Sequence, residues 1–255
     1  MKYLFAIGRA FFGICIAGIG VMHFFYPGIR PIVCPGLEDV PTAIGWLVGV
    51  LLIIPGLLII IGKKYKTISL ILAAVFLLLF LFGHLPAFLV AGPMNSSTWV
   101  KMNKVIAMAG GFLVLTTINP PYTSNRLLGF GFRVAPIGMY FFAIMLYNFG
   151  VGHIVSMNGI STLVPGYIPF PKFWTFMGGI ALIGSAISIF TQYWTKTIML
   201  LLAAVLFIWL GMLHMYYAVR FPQWNEGENL VGVITCLAFC GIALMISQMN
   251  KEGEK

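Results

Sequence analysis

The sequence predicts an all-α integral membrane protein, and three observations favour that class. Hydrophobic residues make up 60% of the 255 residues, and charged residues only 8%. The apolar stretches are about 20 residues long, which is the length that a helix needs to cross a bilayer. They are continuous rather than alternating, which excludes a transmembrane β-barrel, because barrel strands alternate lipid-facing and interior residues.

Eight apolar segments predict eight transmembrane helices, joined by short loops that carry most of the prolines and charges. The predicted ranges are 4–26, 42–62, 67–91, 101–119, 135–157, 172–192, 196–219 and 229–249. The first segment follows a lysine, as in a signal peptide. It is longer than such a peptide, however, and no small-residue cleavage site follows it, so we expect an uncleaved first helix.

The basic residues predict the orientation, because the cytoplasmic loops of membrane proteins are enriched in lysine and arginine. One predicted side holds Lys2, Arg9, Lys63, Lys64, Lys66, Arg126, Arg133, Lys196, Lys251 and Lys255, and the other holds Arg30, Lys101, Lys104, Lys172 and Arg220. We therefore expect a multi-pass protein of the cell (inner) membrane with both termini in the cytoplasm. The net charge of +9 then reflects this bias and contact with membrane lipid, and it implies no nucleic-acid partner.

The chain contains an internal repeat, which predicts two halves, 1–125 and 126–255. Residues 8–84 align with residues 138–214 without a gap, and about 23 of 77 positions are identical. Each half has four predicted helices, and an even number returns the chain to its starting side. We therefore expect two parallel four-helix repeats, side by side, related by an axis along the membrane normal.

All four histidines lie within hydrophobic segments and form two pairs related by the repeat. His23 and His84 in the first half correspond to His153 and His214 in the second. An imidazole in a membrane is costly, so an intramembrane histidine is a functional hypothesis. Each pair lies on the first and third helices of its half, at similar depth near the outer surface. We expect the two rings of a pair to face one another.

Glycines precede three of the histidines by three positions and so share nearly the same helix face. They are Gly20, Gly150 and Gly211. A glycine at such a place either allows close helix approach or leaves room for a flat ligand beside the ring. The sequence leaves both interpretations open, so these glycines join the histidines as candidate cofactor-binding residues.

Two cofactors suit a pair of intramembrane imidazoles. The histidines could be axial ligands of a b-type haem iron, as in other helical bundles. Alternatively, a histidine could hydrogen-bond a quinone and transfer its proton. A bare metal ion is less favoured, because two histidines per half supply too few ligands. The competing interpretation is structural, with each ring bonded to a backbone carbonyl or a hydroxyl of a neighbouring helix.

Two proline-rich segments lie on the predicted outer side, at 27–41 and 164–174. Such proline density predicts a stiff, extended cap rather than a flexible loop. Apolar residues within both segments indicate that this cap lies on the bundle close to the histidines.

These motifs resemble the DoxX/DoxD-like family of small membrane proteins. The resemblance rests on His153 followed by Val164, Pro165, Pro169, Pro171, Phe173, Trp174, Gly178 and Gly179, with a drifted copy at His23, Pro27, Val33 and Pro35, and on Trp99, Asn103, Lys104, Ala109, Gly110 and Gly111. It covers nearly the whole chain, once per half, so the chain would be a tandem fusion of the family's four-helix unit. Arg9 fits the family's helix-1 arginine, but Met139 replaces it in the second half.

The resemblance implies redox work, because family members are associated with a thiosulfate:quinone oxidoreductase subunit and with a membrane oxidoreductase complex. We therefore expect a membrane redox subunit that binds b-type haem or quinone at the paired histidines. It would exchange electrons with a partner as a subunit of a quinone-linked oxidoreductase. We expect the chain to associate with a redox protein or with further copies of itself in a homo-oligomer. The alternatives are a non-catalytic scaffold or assembly factor with structural histidines, and a small-molecule transporter.

Overall fold

The computed structural model describes residues 2–92 and 95–249, with the Lys2 side chain outside that description, and it consists of helices. Within those ranges no strand occurs. Lys251 and Lys255, which contributed to the predicted orientation, lie outside the described residues. The α-helices are α1 Lys2–Phe25, α2 Thr42–Ile61, α3 Tyr65–Leu79, α4 Leu85–Ala91, α5 Ser96–Val114, α6 Arg126–Val134, α7 Gly138–Val155, α8 Met157–Ile160, α9 Pro171–Thr191, α10 Thr195–Trp209, α11 Met215–Arg220 and α12 Glu228–Ile246.

Seven stretches of helix are long and apolar enough to cross a membrane by length and composition. They are Tyr3–Phe25, Thr42–Ile61, Tyr65–Ala91, Arg126–Val155, Pro171–Thr191, Thr195–Arg220 and Glu228–Ile246. The multi-pass prediction is confirmed at that level. The one predicted segment missing from these seven is the fourth in chain order, 101–119. It corresponds to α5, whose first half contains Lys101, Asn103 and Lys104. These polar residues lower its hydropathy.

Helix α5 nevertheless lies in the interior, because every residue from Val105 to Val114 is buried. Its polar first half is accommodated by protein contacts rather than by lipid. The Asn148 amide of α7 donates to Asn103 Oδ1 at 2.7 Å, and the Asn103 amide donates to the Trp99 carbonyl at 2.9 Å. The helix begins at Ser96 rather than at 101, because the Asn95 side chain accepts the Thr98 N–H and caps it.

A π-helical turn interrupts the third long helix of each half. One spans Phe80–His84 between α3 and α4, and the other spans Leu210–His214 between α10 and α11. In the first, the Leu85 N–H donates to the Phe80 carbonyl. Such turns are rare, and they are frequent at functional sites. Each of these two ends on a histidine that the sequence had singled out.

Within each half, the first two long helices meet through glycines. A Cβ added to Gly20 of α1 would lie 2.7 Å from the Gly49 carbonyl oxygen of α2, and one added to Gly150 of α7 would lie 2.8 Å from that of Gly179 in α9. Real side chains never approach backbone so closely. Of the two interpretations that the sequence left open for Gly20 and Gly150, these distances favour close helix approach over room for a flat ligand. By contrast, a Cβ on Gly211 would meet nothing within 4 Å.

The two halves also meet through paired glycines. A Cβ on Gly8 of α1 would lie 2.5 Å from the Gly241 carbonyl oxygen of α12, and one on Gly110 of α5 would lie 2.4 Å from that of Gly138 in α7. The last long helix of each half thus packs on the first helix of the other half. The main neighbours of α1 are α2 and α12, and the main neighbour of α3 is α5.

Candidate functional site

His23, near the end of α1, uses both ring nitrogens within the protein. Its Nδ1–H donates to the Ile19 carbonyl at 2.8 Å, and its Nε2 accepts the Arg30 backbone N–H at 3.2 Å. An N–H can only donate, so this arrangement requires a neutral ring with its proton on Nδ1. Neither nitrogen is then available to a metal or to a quinone.

His84, at the end of the first π-helical turn, uses one ring nitrogen. Its Nε2–H donates to the Val33 carbonyl at 3.1 Å, and the side chain is buried, with 1% of its surface exposed. A carbonyl can only accept, so the neutral ring carries its proton on Nε2 and a lone pair on Nδ1. His84 therefore keeps one nitrogen that accepts a hydrogen bond or a proton.

The proline-rich loop 26–41 lies between these two histidines. Arg30 bonds to His23 and Val33 bonds to His84, while the N–H groups of Val33 and Cys34 both donate to the Arg30 carbonyl. The prediction of a cap that lies on the bundle near the histidines is confirmed for this loop. The rings of His23 and His84 do not bond to one another, because backbone of the loop separates them.

The second half holds its histidines differently. His153 Nδ1–H donates to the Phe149 carbonyl at 2.7 Å, as His23 does to Ile19. The residue that corresponds to Arg30 is Ile160, however, and its N–H donates to the Ser156 carbonyl within α8. The backbone N–H at this position therefore does not bond to the His153 ring.

His214 faces the last helix. A Cβ added to Gly232 of α12 would lie 3.2 Å from His214 Nδ1, so the ring rests directly on this glycine. The loop of this half reaches the preceding turn instead, where the Tyr167 hydroxyl donates to the Met212 carbonyl. The two halves thus share the placement of their histidines along the helices but not the partners of the rings.

A cavity of about 110 Å³ lies beside His84 at the end of the bundle that carries loop 26–41. It is lined by Pro31, Pro35, Glu38, His84, Ala87, Thr98 and Lys101. Glu38 and Lys101 have opposite charges but do not pair, because Arg30–Glu226 is the only ion pair within 4 Å among the described residues. The walls therefore combine a carboxylate, an ammonium, a hydroxyl and an imidazole around a small space.

An apolar groove of about 300 Å³ lies along the same loop and helix. It is lined by Cys34, Val75, Leu78, Leu79, Phe82 and Gly83. Two of these residues are chain neighbours of cavity residues, since Cys34 precedes Pro35 and Gly83 precedes His84. A Cβ on Gly83 would lie 3.2 Å from Cys34 Sγ, so the glycine lets helix and loop meet between the two spaces. The polar cavity and the apolar groove are thus lined by neighbouring residues of one loop and one helix.

A buried arginine in the same loop, which the sequence analysis counted only among the basic residues of the outer side, links the two halves. Arg30 has 2% of its surface exposed. Its guanidinium bonds Glu226 Oε2 at 3.0 Å and the Glu226 carbonyl at 2.8 Å, and it lies 4.9 Å from the Tyr26 ring centre. No local pattern predicts this pair, because the partners lie 196 positions apart.

The residues present fit haem poorly in the first half. Axial ligation needs a free nitrogen on each of two facing rings, and His23 has none. Within the described residues, no group of three or more His, Cys, Asp and Glu side chains could hold a metal ion. In the second half, His153 keeps Nε2 opposite its carbonyl-bonded Nδ1–H, which is how ligating imidazoles are oriented.

The chain matches no protein-family model, no curated protein and no solved structure. The resemblance to DoxX/DoxD-like proteins therefore stays a prediction.

Proposed function

We propose that the chain is a membrane redox subunit that binds a quinone-type lipid at His84 and exchanges electrons with a redox partner. One observation supports this proposal: a polar cavity and an apolar groove are lined by neighbouring residues, Pro35 and His84 in the cavity and Cys34 and Gly83 in the groove. A quinone has a small polar head and a long apolar tail, and each part matches one of the two spaces. Ligand sites commonly combine an apolar wall with a few polar groups of this kind.

Quinone fits the His84 site better than haem does. A quinone head needs one hydrogen-bonding imidazole, whereas a haem iron with two histidine ligands needs two free ones. His84 Nδ1 supplies one such nitrogen, since Nε2 alone bonds to Val33, and as an acceptor it suits the hydroxyl of the reduced head. An imidazole can also accept and release a proton, which quinone chemistry requires.

The proposal includes the membrane topology. Eight crossings, with α5 as the fourth, form two parallel repeats, 1–125 and 126–255, related by an axis along the membrane normal. Matching contacts support this arrangement: Gly8 with Gly241 and Gly110 with Gly138 join the halves, and each half has a π-helical turn at its third helix. Both termini then lie in the cytoplasm, and loop 26–41 lies outside the inner membrane.

Binding of a short-chain quinone, added in its reduced form, to purified protein in nanodiscs tests the function. We expect one quinone per chain, with binding lost in His84→Ala and retained in His214→Ala. A second pair of variants probes the groove without touching the histidines. Leu78→Trp fills the groove, whereas Ile208→Trp is its counterpart in the second half. Both parent side chains are 55% exposed, so both proteins should fold.

Retained binding in His84→Ala and Leu78→Trp would contradict the quinone proposal. The haem version is tested separately by the absorption spectrum of protein expressed with adequate haem. A Soret band that is present in wild-type protein and absent in His153→Ala would show that haem binds in the second half.

A structural scaffold is the second candidate, and the bonding of His23 favours it. Both ring nitrogens of His23 serve backbone groups, which is the pattern of a histidine that only holds a loop. In that case His23→Ala would lower the melting temperature, while quinone and haem content would be the same in wild type and variant. A cofactor lost from well-folded His84→Ala protein would contradict the scaffold role.

A further inference from the structure

We infer that the cavity at His84 selects the reduced, dihydroxy form of the quinone, and that His84 and Glu38 accept its two protons. This inference rests on the proposed function and adds the redox form of the ligand and the roles of two residues.

The hydrogen-bonding character of His84 carries the first step. The Val33 carbonyl holds the ring proton on Nε2, so the nitrogen left for a ligand has a lone pair. A quinone carbonyl also has only lone pairs and cannot bond to it. A quinol hydroxyl donates, so only the reduced head forms a hydrogen bond with neutral His84.

Glu38 supplies a second acceptor on another wall of the same cavity. Glu38 is partly exposed. Its carboxylate has no cation within 4 Å, because the single ion pair among the described residues joins Arg30 and Glu226. An ionised carboxylate accepts strongly from a hydroxyl. A quinol has two hydroxyls at opposite ends of its ring, and the cavity offers one acceptor to each.

Lys101 and Thr98 complete the preference. The Lys101 ammonium already donates to Ser97 Oγ at 3.0 Å and has further N–H groups for a ligand oxygen. The Thr98 hydroxyl donates to the Asn95 carbonyl at 3.1 Å, so it offers a ligand only its lone pairs. A quinone head would find a donor only in Lys101, and it would leave the buried His84 nitrogen unsatisfied. Leaving such groups without partners is costly, so the site discriminates against the oxidised form.

The reaction then balances within the site and its partner. The two O–H bonds of the quinol break, one proton passes to His84 Nδ1, and the other passes to the Glu38 carboxylate. Two electrons leave in succession for a one-electron acceptor protein. The product is the quinone, whose carbonyl oxygens accept from the protonated His84 and Glu38 until these groups give up their protons. Glu38 lies in loop 26–41 and returns its proton to water directly, and the proton of His84 leaves to water through the cavity. Neutral His84 and ionised Glu38 no longer donate to the quinone, which then leaves through the groove.

Dissociation constants for the reduced and oxidised forms of one short-chain quinone test the inference. We expect wild-type protein to bind the reduced form about tenfold more tightly, since one retained hydrogen bond is worth about that factor. This ratio would raise the two-electron midpoint potential of the bound quinone by about 30 mV over the free couple. Glu38→Gln should lower the preference several-fold, and the neighbouring, exposed Asp39→Asn should leave it unchanged.

Lys101→Met provides a second variant on another wall. It removes a donor, so it should weaken binding of the oxidised form more than binding of the reduced form. Equal affinity for both forms in wild-type protein would overturn the inference while leaving the proposed function in place. Absence of binding for either form would overturn both. An equal effect of Asp39→Asn and Glu38→Gln would remove Glu38 from the reaction.

Discussion

At the scale of single residues, the same histidine takes different partners in the two halves. His23 and His153 both donate from Nδ1 to the carbonyl four residues earlier. Only His23 then receives a backbone N–H, because loop 26–41 brings Arg30 to its ring. The repeat fixes where an imidazole lies, whereas the neighbouring loop determines which of its nitrogens remains free.

The pKa of the Cys34 thiol measures how far the loop buries this residue and how close it lies to Glu38. Burial raises the pKa of Cys34, and the nearby Glu38 carboxylate raises it further. The thiolate is the reactive form, so at a fixed pH alkylation of Cys34 should be slower than that of an exposed cysteine. The rate should rise with pH through a midpoint above the ordinary thiol value of about 8.5.

Glu38→Gln removes one of these two causes, so the Cys34 midpoint should shift to lower pH. The measurement is the maleimide reaction rate from pH 6.5 to 10 in a protein whose Cys15, Cys236 and Cys240 are replaced by alanine. Asp39→Asn serves as the control and should leave the profile in place. A Cys34 profile equal to that of a free thiol would show that the loop does not bury the group.

At the scale of elements, a short turn of the second half holds the first-half loop. Glu226 and its neighbours Asn225 and Gly227 adopt left-handed backbone, with φ of 54°, 46° and 79°. Such backbone is costly for the two residues that are not glycine. The bond from Arg30 to the Glu226 carbonyl keeps the turn in place, and the buried guanidinium gains its only anionic partner among the described residues.

Glu226→Gln should destabilise the protein by about 1–3 kcal/mol, because it leaves a buried guanidinium without a counter-charge while the carboxylate itself is partly in water. Thermal unfolding in detergent measures the loss. Arg30→Met combined with Glu226→Gln should recover part of it, since no unpaired charge then remains. Additive losses in the double variant would show that the two side chains act independently.

The glycine contacts between helices predict sharp positional effects. Gly110→Ala and Gly241→Ala should each cost about 2 kcal/mol or more, because a methyl group would overlap a carbonyl oxygen of the other half. Gly211→Ala is the matched control, since its Cβ meets nothing within 4 Å, and it should be neutral or slightly stabilising. Melting temperatures that fall equally in all three proteins would contradict this packing.

At the scale of the whole molecule, α5 decides the topology. Its polar first half makes it the least lipid-like of the long helices, yet its contacts with α3 and α7 place it inside the bundle. If α5 crosses the membrane, a reporter domain fused after Tyr122 lies on the same side as the N-terminus, and one fused after Gly92 lies on the opposite side. Reporters on the same side at both positions would reduce the crossings to seven or fewer.

Part of the candidate site could be predicted from the sequence. The depth of His84 and the nearness of loop 26–41 follow from helix lengths and proline spacing. Glu38, Lys101 and the Arg30–Glu226 pair could not be assigned to the site, because their partners come from distant positions and no local period marks them. The π-helical turns also escaped prediction, since Phe80–His84 is as apolar as the helix around it.

The sequence by itself determined that this chain is helical, with helices long and apolar enough to cross a membrane, and which histidines these helices carry. Apolar length and repeated residues are local properties, and lipid enforces them directly. Only the tertiary structure decided which helices meet, which ring nitrogen of His84 stays free and which charges surround it. Those outcomes depend on backbone approach at glycines such as Gly110 and Gly241 and on a loop that folds back over α1. Such contacts join positions that no linear pattern connects.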